Sequence, residues 1–140
     1  MKSDPSLALQ AAIGQRLIES PEVLEWIPAD NILATNGRPE RVPCLLIGEG
    51  QSVFKRFGCI SHAVIHGWQA ENGLVQAKRL GSAIVAALTW DAQVERAVLP
   101  LDGWDAHDLA VTGIQYMRDP HANYSHCIVT LAAVLKERVP

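Results

Sequence analysis

The spacing of hydrophobic positions changes several times along this chain, and each change marks an element. Asp4-Pro5 reads as an N-cap followed by proline at the first helical position; Leu9, Ile13 and Leu17 then recur at four-residue spacing, with Ala12 beside them and Gln10 and Arg16 elsewhere on the wheel. An amphipathic helix is predicted there. Ser20-Pro21-Glu22 repeats the start signal before a short helical turn over Val23 to Ile27, which Pro28 closes because it lacks a backbone donor. Ala29 to Val42, rich in Asn, Gly, Pro and charge, is predicted to be a long loop. Pro43 to Gly48 is a short apolar run between turn residues and reads as a buried strand. The segment GQSVFKRFG, Gly50 to Gly58, reads as an interruption, and Ser61 to Trp68 as a second strand.

Asn72-Gly73 opens a second helix, in which Leu74, Ala77, Gly81, Ile84 and Leu88 share a stripe with Leu80 and Ala87 beside it. Small residues at Ala77, Gly81 and Ala83 permit close packing against a sheet or a neighbouring helix. Val98 to Leu101 is predicted as a short third strand, followed by a turn at Asp102-Gly103. The last third predicts a hairpin: His107 to Arg118 and Tyr124 to Lys136, joined by Asp119-Pro120-His121-Ala122-Asn123. Leu109 and Val111 are followed by Ile114 and Tyr116, so the alternation changes parity and Gly113 becomes a candidate bulge. Cys127, Val129, Leu131, Ala133 and Leu135 alternate on one face of the final strand, with His126, Thr130 and Ala132 on the other. The expected fold is one α+β domain, residues 1–140, with two main helices on one face of a mainly antiparallel sheet of about four to five strands. The uncovered face must meet water or another subunit.

Composition narrows the function. The 140 residues are 49% apolar with a formal net charge of -3, which gives no global reason to expect nucleic acid or an anionic membrane as partner. The three cysteines, Cys44, Cys59 and Cys127, form no C-x-x-C pair and read as reduced, buried small hydrophobes. The start MKSDPS lacks a signal-peptide run, and no apolar stretch approaches the roughly 20 residues that cross a bilayer, so the chain reads as soluble and unexported.

Candidate chemistry dissolves on inspection of spacing. His62 and His66 have metal-ligand spacing for a helix, but in a strand they stand about 13 Å apart. His121 and His126 flank a turn with no cysteine or carboxylate to complete a ligand set. Ser52, Ser61, Ser82 and Ser125 lack a G-x-S-x-G elbow. Asp102, Asp105, His107 and Asp108 offer acid and base groups, yet turn-forming aspartates explain them as well. Gly48-Glu49-Gly50 carries a carboxylate that would repel a phosphate. No residue is assigned to catalysis, to a cofactor or to a metal.

Several motifs in order carry a resemblance. An N-terminal amphipathic helix, the P-x-L-L-I-G-E strand from Pro43 to Glu49, the H-x-V-x-H-x-W strand from His62 to Trp68, an alanine-rich helix and Arg118-Asp119-Pro120 in the hairpin resemble the tail completion, or tail terminator, proteins of long-tailed phages. The chain looks most like the branch shared with prophages and gene transfer agents. The likeness covers roughly Leu7 to Lys136, and it departs where Gly67-Trp68-Gln69 replaces the family's more usual hydrophobic residue, tryptophan and serine.

The resemblance implies a structural protein with no active site. It implies a homohexameric ring that binds the last ring of the major tail tube protein, ends tube growth and presents a surface to the head-tail connector. Assembly would occur in the bacterial cytoplasm and leave the protein in the tail or neck of the particle, with DNA passing through the channel without specific binding. A ring needs two different patches per subunit and a rotation that closes. Ala29 to Val42 and Gly50 to Gly58 are the expected contact segments, because long loops in compact domains are usually functional. Phe54, Lys55, Arg56 and Phe57 are the candidate interface residues, against the alternative that the phenylalanines fold back over the sheet. Trp104 is a further interface candidate, although it and Trp68 read first as core or strand-end anchors and only second as interface hot spots. Rival classes are another neck component, such as a head-closure or adaptor protein, and a small α+β enzyme.

Overall fold

The computed structural model describes residues 3–35, 38–88 and 101–139. Helix α1 spans Pro5–Ile18, and the Asp4 carboxylate accepts the Leu7 amide at 3.0 Å, as an N-cap should. Leu9, Ile13 and Leu17 are fully buried. Helix α2, Pro21–Leu24, is a single turn started by Ser20, whose hydroxyl accepts the Val23 amide at 3.3 Å. The stretch predicted as a long loop contains a 3-10 turn, Ala29–Asn31, and a two-residue strand β1, Ile32–Leu33.

Strands β2, Cys44–Lys55, and β3, Gly58–Ala70, form one hairpin paired as far as Lys55 and Gly58. This corrects the expectation of a loop over Gly50 to Gly58: only Arg56 and Phe57 turn. The glycines read as punctuation instead flank a bulge at Glu49, whose φ of 24° lets β2 continue past it. Gly58 closes the turn at φ +154°, and a Cβ there would stand 2.1 Å from the Leu135 carbonyl oxygen. Gly58→Ala is therefore expected to cost about 2–4 kcal/mol from backbone strain and steric overlap. Urea unfolding at matched conditions measures it, and a loss below about 0.5 kcal/mol, the level of an ordinary surface change, would contradict the hairpin geometry.

Helix α3 covers Val75–Leu88, with Ala77, Leu80, Gly81, Ile84 and Leu88 buried as the stripe predicts. Its start lies beyond the predicted Asn72-Gly73 because Glu71 caps it. That carboxylate accepts the Gln76 amide at 3.0 Å, the Ala77 amide at 2.8 Å and the Ser125 hydroxyl at 2.6 Å. Gly81 brings α3 close to the sheet; a Cβ there would lie 2.5 Å from Ile114 Cδ1. Of the strand predicted at Val98 to Leu101, residues 98–100 lie outside the described residues, while Leu101 is buried and bridges Trp104.

Strands β4, Trp104–Asp119, and β5, Tyr124–Glu137, complete a sheet ordered β1-β2-β3-β5-β4, antiparallel except for the β1–β2 pair. The parity change in β4 is real, but the inserted residue is Thr112: Val111 pairs with Leu131 and Gly113 with Thr130. A second bulge at His107 was not predicted. Helix α1 lies over β2 and β3, and α3 over β3, β5 and β4, which makes the α+β sandwich expected, with both helices on one face. Leu45, Ile47, Ile65, Leu131 and Leu135 meet Leu9, Ile13, Leu17, Leu80 and Ile84 in the core between them. The three cysteines are buried free thiols, and burial pushes Cys44 up to about 11 and Cys127 up to about 12.

Candidate assembly surface

Strand alternation carries the residues opposite the helices onto a second face. In register across β2, β3, β5 and β4, Val53, Ile60, Val134 and Asp108 form one row, and Leu46, His66, Ile128 and Gln115 another. Ile60, Val64, Ile128, Ala132 and Val134 at its centre are half-buried, and Val53 is 37% exposed. No helix among the described residues covers this face. Thr130 sits on it as predicted, bonded to Thr112 at 3.0 Å.

The face ends in a small second core of Cys44, Leu46 and Trp68, overlain by Leu33, Val42 and Tyr124. Arg38 pins the covering segment through an ion pair with Asp119. The His121 amide, donating at 2.9 Å, and then the Arg38 guanidinium hold the Asp119 carboxyl below its usual range. Asn123 takes the positive φ, 51°, that closes this hairpin.

Two histidines, His66 and His126, are satisfied within the sheet. His66 Nε2 lies 2.8 Å from Glu49 Oε1, and His66 Nδ1 lies 2.9 Å from His126 Nε2. Since a carboxylate only accepts, His66 donates through Nε2; in neutral His66 the Nδ1 then accepts, with His126 Nε2 as the donor to it. His126 stacks flat on Trp68, centroids 3.8 Å apart, and burial followed by the neighbouring His66 lowers its pKa to about 4. Nothing in the chain pattern predicted this relay, because Glu49, His66 and His126 come together only through the sheet register.

The candidate interface residues divide. Phe54 and Phe57 do not fold back: they are 60% and 49% exposed at the β2–β3 tip, flanking exposed Lys55 and Arg56. Trp104 instead belongs to the core, 3% exposed, with its indole nitrogen donating to the Ser3 carbonyl at 3.2 Å. That burial leaves it little surface for a partner, so of its two readings the anchor is the one the structure gives. Trp68 is likewise buried. Asp102, Asp105, His107 and Asp108 are exposed where β4 begins, with Asp105 paired to Arg138 at 2.9 Å. Among the described residues no three metal-ligating side chains gather.

An open apolar sheet face beside an exposed aromatic and basic tip defines a protein built for contact with other chains. Residues 11–136 match the family of the tail completion protein gp17, and the chain belongs to that family. It is accordingly a structural component of phage-type tails and not an enzyme. A chain in a solved structure, the virion of a native gene transfer agent particle, shares the fold with a TM-score of 0.77 and 18% identity, covering 96% of this chain and 99% of that one. Curated proteins yield no match.

Proposed function

We propose that copies of this protein form a closed ring, a hexamer as the resemblance implies, that caps the tail tube, ends its polymerisation and joins it to the head connector. The observation that carries the reading is the sheet face that no helix among the described residues covers, with half-buried Ile60, Val64, Ile128 and Val134. A monomer that kept these side chains at a water interface would forgo roughly 25 cal/mol for every Å² of apolar surface a partner could cover. The exposed Phe54 and Phe57 supply a second, different patch, which a head-to-tail ring requires. The formal charge of -3 suits a channel through which DNA passes without sticking, because like charge discourages phosphate contact. On this reading the protein assembles in the host cytoplasm and remains in the tail or neck of the particle.

The test is to produce particles lacking the protein and measure tail lengths by electron microscopy. Overlong, headless tails that return to uniform length on complementation are expected. Tails of normal, uniform length joined to heads would overturn the reading.

A further inference from the structure

The strand order puts two oppositely charged edges at the same end of the sheet. Lys55 pairs with Gly58, Cys59 with Leu135, and Glu137 with Trp104, so the β2–β3 tip and the beginning of β4 stand level with each other. They lie on opposite sides, since β2 and β4 flank β3 and β5, with only the two residues of β1 beyond β2. One side presents Lys55 and Arg56, both exposed; the other presents Asp102 and Asp108, both exposed. Among the described residues none of these four charges has an ion-pair partner in its own subunit, whereas Asp105 is neutralised by Arg138.

We propose that the β2–β3 tip of one copy docks against the turn before β4 and the first half of that strand in the next, Lys55 and Arg56 meeting Asp102 and Asp108, with Phe54 and Phe57 sealed in the contact. The pairing rests on the ring reading above and names its contact. Rotation about an axis along the strands keeps both charged edges at one end, so every subunit offers its tip to one neighbour and its β4 edge to the other, as ring closure needs. β2 and β4 run in opposite directions within the sheet, so the two edges meet antiparallel. The bulges at His107 and Thr112 break the even row of backbone groups along β4. Side chains, and not an unbroken backbone ladder, therefore carry the contact.

Charge reversal on each side separately, then in mixture, tests this. The full chain is compared as wild type, as Lys55→Glu with Arg56→Glu, and as Asp102→Lys with Asp108→Lys, following mass by sedimentation over a concentration series and fold by circular dichroism. Each variant alone presents like charges on both edges and is expected to remain monomeric where the wild type assembles. Mixing the two restores unlike charges at every contact and is expected to restore the assembled mass. Wild-type assembly should weaken between about 0.1 M and 1 M salt, as the screening length falls from about 10 Å to 3 Å. A wild-type ring whose mass neither variant changes, or variants that assemble normally yet fail to attach to tails, would overturn the pairing and leave the ring reading standing. A wild type that stays monomeric at every concentration and on the tail itself would overturn both.

Discussion

Replacing Phe54 and Phe57 together with serine is expected to leave a folded, soluble protein that no longer caps tails. Both side chains stand exposed, Phe54 beside a two-residue turn and Phe57 within it, so their removal should change folding stability by no more than about 0.5 kcal/mol, as for surface positions generally. In the proposed assembly the two aromatic rings would be desolvated anchors, each worth about 2 kcal/mol or more when truncated. A loss of about 4 kcal/mol at each subunit contact corresponds to roughly a thousandfold weaker association. The readout is tail length and infectivity in a strain carrying only the variant, with unfolding curves as the control. Unchanged capping would remove the tip from the interface; a collapsed unfolding midpoint would mean that the rings serve the subunit's own stability.

The second large effect is acid destabilisation. His126 has its folded pKa lowered to about 4 from an ordinary 6.5, by burial and then by His66, with Glu49 on β2 and Asp119 on β4 opposing the shift. The unfolded chain thus takes up a proton below pH 6.5 that the folded chain refuses until about pH 4. Stability present above pH 6.5 is lost progressively across that window, up to about 3 kcal/mol from this group. Below it the carboxylates take over. Although burial opposes it, the Ser125 hydroxyl and the amides of Gln76, Ala77 and Val75 hold Glu71 below its ordinary 4.5, so its contribution is present above that value and lost as pH falls through the lower folded one. Asp119 behaves the same way. His126→Gln keeps a donor for His66 but cannot titrate in this range. Its stability should be nearly flat between about pH 6.5 and 5, above the range in which Glu71 and Asp119 contribute, where the wild type slopes, and equal slopes in the two proteins would refute the assignment.

These groups also show where legibility ended. Helix α1 was readable because Asp4, Pro5 and the Leu9, Ile13, Leu17 repeat are all local signals, and β5 because Cys127 to Leu135 alternate without a break. The parity change in β4 announced a bulge from the sequence alone; only the register assigned it to Thr112 instead of Gly113. Glycine misled at Gly48 and Gly50, where a bulge inside a strand has the same composition as a loop between strands. The Arg56-Phe57 turn carries no Asn-Gly signal, so a twelve-residue strand looked like a short one followed by a loop. The cap on α3 reaches back from Gln76 and Ala77 to Glu71, a spacing outside the usual capping pattern. The His66–His126 contact joins residues 60 apart in sequence and depends entirely on strand order.

The proposed contact surface is legible in chemistry more than in shape. Phe54, Lys55, Arg56 and Phe57 stand out as a group in the sequence, and exposure at a hairpin tip is what distinguishes the two phenylalanines from core residues. Trp104 has the same side-chain chemistry as an interface anchor; its burial against Ser3 sets it apart, and that contact spans 101 residues. The apolar open face could be anticipated only as the side of β5 opposite Cys127. Its continuation through Ile60, Val64 and Val53 required the register of three strands.

On the proposed reading this protein acts as a ring at one end of the tube. Tails purified without heads, carrying a labelled copy of the chain that still supports infection, should show the label as one annulus at a single end of every tail of finished length, and none on growing tubes. Label distributed along the tube, or absent from headless tails and present only on filled heads, would contradict it.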